Sequence, residues 1–111
     1  VLAGGAGADR FVYTAAGDSP VGSAYRDLIL DFSHAQGDRI DLSTIDANAG
    51  VSGNQAFTFK GTGALTGPGQ VHVAYVGSTT IVEADTGGST APELQIALQG
   101  HFVLGTADFL L

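Results

Sequence analysis

The chain contains no cysteine, so neither a disulfide framework nor a thiolate zinc site can belong to its fold or its chemistry. Stability must come from packing and from any bound metal. Basic residues are also scarce: 4 lysines and arginines face 11 acidic residues, for a formal net charge of -7. Such a surface makes nucleic acid a poor partner. No stretch approaches the roughly 18 consecutive apolar residues of a membrane span, so membrane insertion is not expected. Val1 does not begin a basic region followed by an apolar run, the pattern of a cleaved leader.

What is present points to strands and turns. Seventeen glycines, 3 prolines and a 44% apolar fraction with few charges argue for a turn-rich β fold over disorder, which requires lower hydrophobicity. At 111 residues, one domain with a single core is expected. Nine of the acids are aspartate and 2 are glutamate. Aspartate is the shorter carboxylate, suited to turns and to compact oxygen cages.

The most specific local pattern is Gly4-Gly5-Ala6-Gly7-Ala8-Asp9-Arg10-Phe11-Val12. It fills every fixed position of the nonapeptide G-G-x-G-x-D-x-U-x, with U a large apolar residue, and so resembles the calcium-binding repeat of RTX proteins. The physical basis is plain: glycines turn the backbone tightly and aim carbonyl oxygens inward, while Asp9 supplies negative charge for a hard cation. Val1-Leu2-Ala3 fits the last three positions of the same template, so the chain reads as opening inside the tail of a preceding repeat. Asp9, Asp18 and Asp27 recur every nine residues, but the glycines of the later two windows are lost and Pro20 takes an apolar position.

Downstream, a polar loop from Thr14 to Tyr25 precedes a strand over residues 26–32, and Gly37 to Ser43 reads as a turn feeding another strand. Residues 44–50 are expected to hold one helical turn. Residues 55–60 form an alternating strand, with Phe57 and Phe59 on one face, and residues 61–69 a glycine-rich turn. Val71 to Val76, Gly77-Ser78 and Thr79 to Ala84 have the alternation and two-residue spacer of a β-hairpin. Residues 93–98 alternate as a half-buried strand, and the end, Thr106 to Leu111, reads as a capped turn with an apolar tip.

The order GGAGADRFVY, Asp18-Ser19, RDLILDF, GDRIDLS, paired strands and terminal DFLL resembles the C-terminal region of serralysin-like RTX metalloproteases. The resemblance implies an all-β fold: the last turn of a parallel β-roll over residues 1–13, leading into an antiparallel, sandwich-like β cap over residues 14–111. It implies calcium ligands from the backbone around Gly5, Ala6 and Gly7 and from Asp9, with Asp18, Asp27 and Asp38 at the acidic positions that follow. It also implies a type I secretion signal at residues 106–111, with Asp108 followed by Phe109, Leu110 and Leu111. The expected partners are upstream RTX repeats, the parent's catalytic domain and the secretion apparatus of a Gram-negative bacterium, with the protein extracellular.

No catalytic machinery is legible in this chain. His34, His72 and His101 are scattered without H-E-x-x-H spacing, so no zinc site is expected. No G-x-S-x-G surrounds a serine, and residues 61–67 lack the lysine and helix of a phosphate loop. Glu83, Asp85 and Glu93 near a hairpin end are read as solvated acids, and no ion is assigned to the loop Asp85 to Thr90. Asp31 and Asp41 are expected to cap strands or pair with Arg26 or Arg39. The expected function is therefore a non-catalytic calcium-binding module of a serralysin-like protein. The alternative is a module of a polysaccharide-modifying epimerase or lyase that assists carbohydrate binding, with Tyr75 as the candidate aromatic platform.

Overall fold

The computed structural model describes residues 3–22, 26–33, 35–48, 53, 55–87 and 92–111. Val1-Leu2, the end of the polar loop, His34, the last two residues of the expected helical turn and part of the loop after Gly87 lie outside the described residues. Among the described residues eight strands form: β1 (Arg10–Val12), β2 (Asp27–Ile29), β3 (Arg39–Asp41), β4 (Thr58–Phe59), β5 (Gln70–Val76), β6 (Thr79–Asp85), β7 (Leu94–Gln99) and β8 (Phe109–Leu110). Short 3-10 turns occupy Ala16–Asp18 and Thr106–Asp108. The fold is all-β, with parallel and antiparallel pairing combined.

The strands form a three-stranded sheet in the order β1-β3-β8 and a five-stranded sheet in the order β2-β7-β6-β5-β4. The first is parallel throughout, with Phe11 opposite Ile40 and Ile40 opposite Phe109. In the second, the β5–β6 hairpin and the β6–β7 pair are antiparallel, while β2 joins β7 and β4 joins β5 in parallel. The hairpin matches its sequence pattern because Gly77 adopts φ +60° in the two-residue turn, a conformation costly for any residue with a Cβ. The chain thus crosses between sheets repeatedly, and each sheet combines strands distant in sequence.

A single core fills the space between the sheets, with Phe11, Ile40, Leu42 and Phe109 from one side meeting Ile29, Val71, Val82, Leu94, Ile96 and Leu98 from the other. Ring contacts run through this core: Phe59 of β4 meets Phe109 of β8 at 5.2 Å in a tilted contact that joins the sheets, and Phe32 meets Phe102 edge-on at 5.7 Å. Offset and tilted rings at such distances add attraction beyond their buried area.

Four expectations change, the plainest being that the alternating strand expected over 55–60 contracts to Thr58–Phe59. Strand β7 is buried on both faces, not one, because it lies inside the five-stranded sheet and the polar loop docks across it. There the Ser19 hydroxyl donates to the Gln95 carbonyl, and the Gln95 N–H donates to the Ser19 carbonyl at 2.9 Å. The strand expected over 26–32 contracts to Asp27–Ile29, since Asp31 turns away to serve another segment. Among the described residues of 44–48, no helical turn forms. A turn at Ser43-Thr44, closed by the Ile45 N–H on the Leu42 carbonyl at 3.0 Å, replaces it.

Asp41, at the end of β3, accepts the Ser43 hydroxyl and the Ser43 N–H, and meets Arg10 Nε at 3.5 Å. The Ser43 hydroxyl foremost, then its N–H and the Arg10 charge, holds this carboxyl below the ordinary carboxylate range. A depressed folded-state pKa contributes stability that is present above the unfolded value and is lost as pH falls through the folded one. Urea unfolding from about pH 5 down to about pH 2 is therefore expected to show stability falling below roughly pH 4, less steeply in Asp41→Asn. Equal slopes for the two proteins would remove Asp41 from that dependence.

Candidate metal centre

The glycine-rich segment lies immediately before β1. Gly5 and Gly7 take φ of +78° and +90°, the left-handed region in which only glycine is unstrained, so the backbone reverses twice within four residues. Gly4 is required for a different reason: a Cβ there would come within 2.6 Å of the Asp9 carboxyl carbon. The Asp9 side chain folds back under the start of its own loop. Its Oδ2 is buried and accepts no hydrogen bond. Buried carboxylate oxygens without a donor are rare and costly, and a cation is one of the few groups that satisfies them.

Two neighbouring carboxylates hold this loop. Asp31 accepts the Gly4 N–H on Oδ1 at 2.8 Å and the Gly5 N–H on Oδ2 at 2.7 Å. These two bonds, Gly4 first, hold its carboxyl below the usual range. Successive N–H groups converging on one anion form a nest, and their carbonyls are then turned away from Asp31. Asp38 is almost wholly buried, at 1% exposure. Its Oδ1 accepts the Asp9 N–H at 2.8 Å and its Oδ2 the Ser33 N–H at 2.9 Å. The Asp9 carbonyl in turn accepts the Arg39 N–H at 2.9 Å, continuing the pairing of β1 with β3.

Asp18 and Asp27 gather elsewhere. Asp18 Oδ2 accepts the Thr14 N–H at 2.9 Å, the Thr14 hydroxyl at 3.0 Å and the Ala15 N–H at 3.2 Å, closing the 3-10 turn. Those bonds, led by the Thr14 N–H, lower its carboxyl pKa. Asp27 begins β2, and its N–H donates to the buried Ser19 hydroxyl at 2.9 Å. Both carboxylates act on Tyr13, whose hydroxyl is buried without a hydrogen bond of ordinary geometry. Burial first, then the charge of Asp27, pushes that phenol well above its usual range. Acids therefore flank β1 in two groups, Asp9, Asp31 and Asp38 before it and Asp18 and Asp27 after it. Among the described residues no cluster of three or more is already arranged to grip a metal.

Sequence reasoning missed Asp31. It was expected to cap a strand or pair with a cation, and the nonapeptide template does not reach 26 residues downstream to find it. The arginines also pair differently: Arg26 donates to Gln95 Oε1 at 3.0 Å, and Arg10 takes Asp41. The residues at the glycine loop fit a hard oxygen-seeking cation. Asp9 has an unsatisfied oxygen, and neither sulfur nor histidine takes part.

The other expected sites are folded into the protein. Asp108 is buried at 1% exposure, its Oδ2 accepts the Gly105 N–H at 2.8 Å, and Phe109 fills the core. Leu110 and Leu111 are half-buried, and Leu111 packs against the core. Tyr75 donates its hydroxyl to the Phe102 carbonyl at 2.7 Å and stacks on His101 with ring centres 4.1 Å apart, so one ring face is covered. Glu83 is tied between His72 at 2.8 Å and the Gln95 amide at 2.7 Å.

The family described as Peptidase M10 serralysin C terminal matches the chain over residues 1–111. Among solved structures, the chain is similar to the AlgE6R3 subunit of the Azotobacter vinelandii mannuronan C5-epimerase. That match has 28% identity and a TM-score of 0.56, covering 98% of this chain and 56% of that one. It shares its fold with the AlgE6R2 subunit of the same epimerase, at 24% identity and a TM-score of 0.50, covering 99% of this chain and 69% of that one. The chain thus spans just over half the length of the AlgE6R3 structure. No curated protein matches it.

Proposed function

Because the chain belongs to the serralysin C-terminal family of M10 peptidases, we propose that it is a non-catalytic calcium-binding RTX module that ends a β-roll and carries a type I secretion signal. The observation that carries this reading is the buried, donorless Oδ2 of Asp9 beneath the Gly4–Gly7 turn. The Gly5, Ala6 and Gly7 carbonyls and the Asp9 carboxylate would hold the ion, while Asp31 and Asp38 fix the backbone from the opposite side. When bound, calcium supplies the positive charge that offsets the crowded carboxylates of the loop.

One glycine turn cannot furnish the roughly 6 to 8 oxygens calcium takes, so the remaining ligands come from a neighbouring turn or from water. The sheet edges suit the first source. β1 is an edge of the three-stranded sheet and β2 an edge of the five-stranded one, so both offer unpaired backbone to strands of a preceding repeat. Asp18 and Asp27 then belong to the next level of the stack, below β1. The division at residue 13 between roll and cap rests on the same stacking.

In the proposed export sequence, the chain leaves the cell unfolded, where its uncompensated carboxylates oppose collapse, and folds outside at millimolar calcium. Binding free energy then becomes folding free energy. Residues 106–111 act as the signal before folding and as a core-filling strand after it. The parent protein in this reading is a secreted, extracellular serralysin-like metalloprotease of a Gram-negative bacterium, whose zinc motif lies outside this chain.

Calorimetric calcium titration of the metal-stripped chain, with circular dichroism at each point, tests the reading. Binding should come with a gain of β signal, and Asp9→Asn should weaken it by roughly tenfold or more, because a charged ligand is lost. Equal affinity in the variant would sink it. The likeness to an epimerase subunit favours a second reading, a module that assists polysaccharide binding. Retention on an immobilised uronate polysaccharide, lost in Tyr75→Ala, would support that one.

A further inference from the structure

Asp85 and Glu93, expected from the sequence to be solvated acids, form an acidic pair far along the chain from the glycine loop, Asp85 buried and Glu93 half-buried. Asp85 closes β6 and is fully buried. Its Oδ1 accepts the Gly87 N–H at 3.0 Å, while its Oδ2 is buried and has no hydrogen-bond partner. Glu93 immediately precedes β7, and its N–H donates to the Ala84 carbonyl at 2.9 Å, one residue beyond the last β6–β7 rung. Its Oε1 accepts the Thr86 N–H at 3.0 Å and the Thr86 hydroxyl at 3.4 Å. The backbone closes over this carboxylate so tightly that a Cβ on Gly87 would lie 2.6 Å from Glu93 Oε1.

Asp85 thus accepts on Oδ1 and finds no donor on Oδ2, while Glu93 accepts on Oε1. Among the described residues, no lysine or arginine forms an ion pair with either. Burial, and then the neighbouring Asp85, raises the Glu93 carboxyl above its usual range, as expected for two negative groups sharing one desolvated corner. Such a corner calls for a positive charge. The ligand atoms are all oxygen and the Thr86 hydroxyl is at hand, which suits a hard divalent cation over a soft one.

We propose that Asp85 and Glu93 form a second divalent-cation site, of the calcium class, that joins the end of β6 to the start of β7 through Asp85 Oδ2 and the Glu93 carboxylate. Two carboxylates on a loop make a weak site, with a dissociation constant of order 10⁻⁴–10⁻³ M, the range of extracellular calcium modules. The competing occupant is a single proton shared by the pair. The proposal stands apart from the glycine loop, because it uses different residues on different strands.

Nitrogen–proton correlation spectra of the 111-residue chain, metal-stripped and titrated with calcium chloride near neutral pH, test it. The Thr86 and Gly87 amides should shift with an apparent constant of about 10⁻⁴–10⁻³ M. Glu93→Gln should weaken that response by roughly tenfold or more, and Asp85→Asn should abolish it, while the Gly4 and Gly5 amides respond as before. If Asp85→Asn fails to fold, Glu93→Gln carries the test, since Glu93 is only partly buried. Three results would overturn the site: Thr86 and Gly87 amides still unmoved at about 10 mM calcium, an equal response in Glu93→Gln, or a response to pH alone, which marks the shared proton. A silent Gly4–Gly5 loop beside moving Thr86 and Gly87 amides would count against the first site only.

Discussion

Phe109→Ala is expected to destabilise the folded chain by about 3–5 kcal/mol, the cost of emptying a phenylalanine site that its surroundings refill only in part. The ring is 4% exposed and packs on Phe59 of the other sheet, so its loss removes a contact that joins the two sheets as well as apolar area. The strand it belongs to is short, paired to β3 through only two positions, and is anchored further by the Leu42 N–H on the Leu110 carbonyl at 2.8 Å. Thermal unfolding should show a midpoint lower by roughly ten degrees or more, and Phe109→Leu should recover most of the difference. An unchanged midpoint would mean that the C-terminal strand is not part of the cooperative core. Export efficiency measured on the same variants separates the proposed signal role from packing: a signal read on the unfolded chain responds to residue type without following stability.

Asp38→Ala is the second large effect, with an expected loss of about 2–4 kcal/mol even in the absence of calcium. The substitution leaves the Asp9 and Ser33 N–H groups without acceptors, and each buried unsatisfied group costs about 1–3 kcal/mol, offset in part by any water that enters. Asp38→Asn keeps one acceptor oxygen and should lose about half as much. The comparison also distinguishes a strut from a ligand. A residue that only binds calcium would alter affinity and leave metal-free stability unchanged, whereas Asp38 is expected to lower urea stability in the presence of chelator. Because its two bonds join the residue before β1 to the turn before β3, calcium affinity should fall as a consequence of the loosened loop.

Much of the fold was legible because its signals are local. The β5–β6 hairpin follows from alternation and a two-residue Gly77-Ser78 spacer, and β1 follows from the apolar position of the nonapeptide. The 3-10 turn and strand at the C-terminus follow from Asp108 and the apolar residues after it. Short strands defined by pairing were less visible. β2 is three residues long because Asp31 is drawn to Gly4 and Gly5, and nothing between residues 6 and 30 announces that attraction. β7 looked half-buried because alternation reports only one face, and the polar loop that covers its other face is hydrophilic in composition.

For the candidate metal centre, the amino-acid order alone determined the glycine turn and Asp9, since φ angles near +80° demand glycine and the nonapeptide supplies it at the required positions. It also determined the excess of aspartate over cations. Only the tertiary structure decided which aspartates meet. It set Asp31 and Asp38 behind the loop, gathered Asp18 and Asp27 around Tyr13, and buried Asp85 against Glu93. Backbone conformation is a property of a few consecutive residues, whereas burial and the company of a carboxylate depend on strands such as β1 and β3 or β2 and β7, distant in sequence, that become neighbours only when the two sheets close on their shared core.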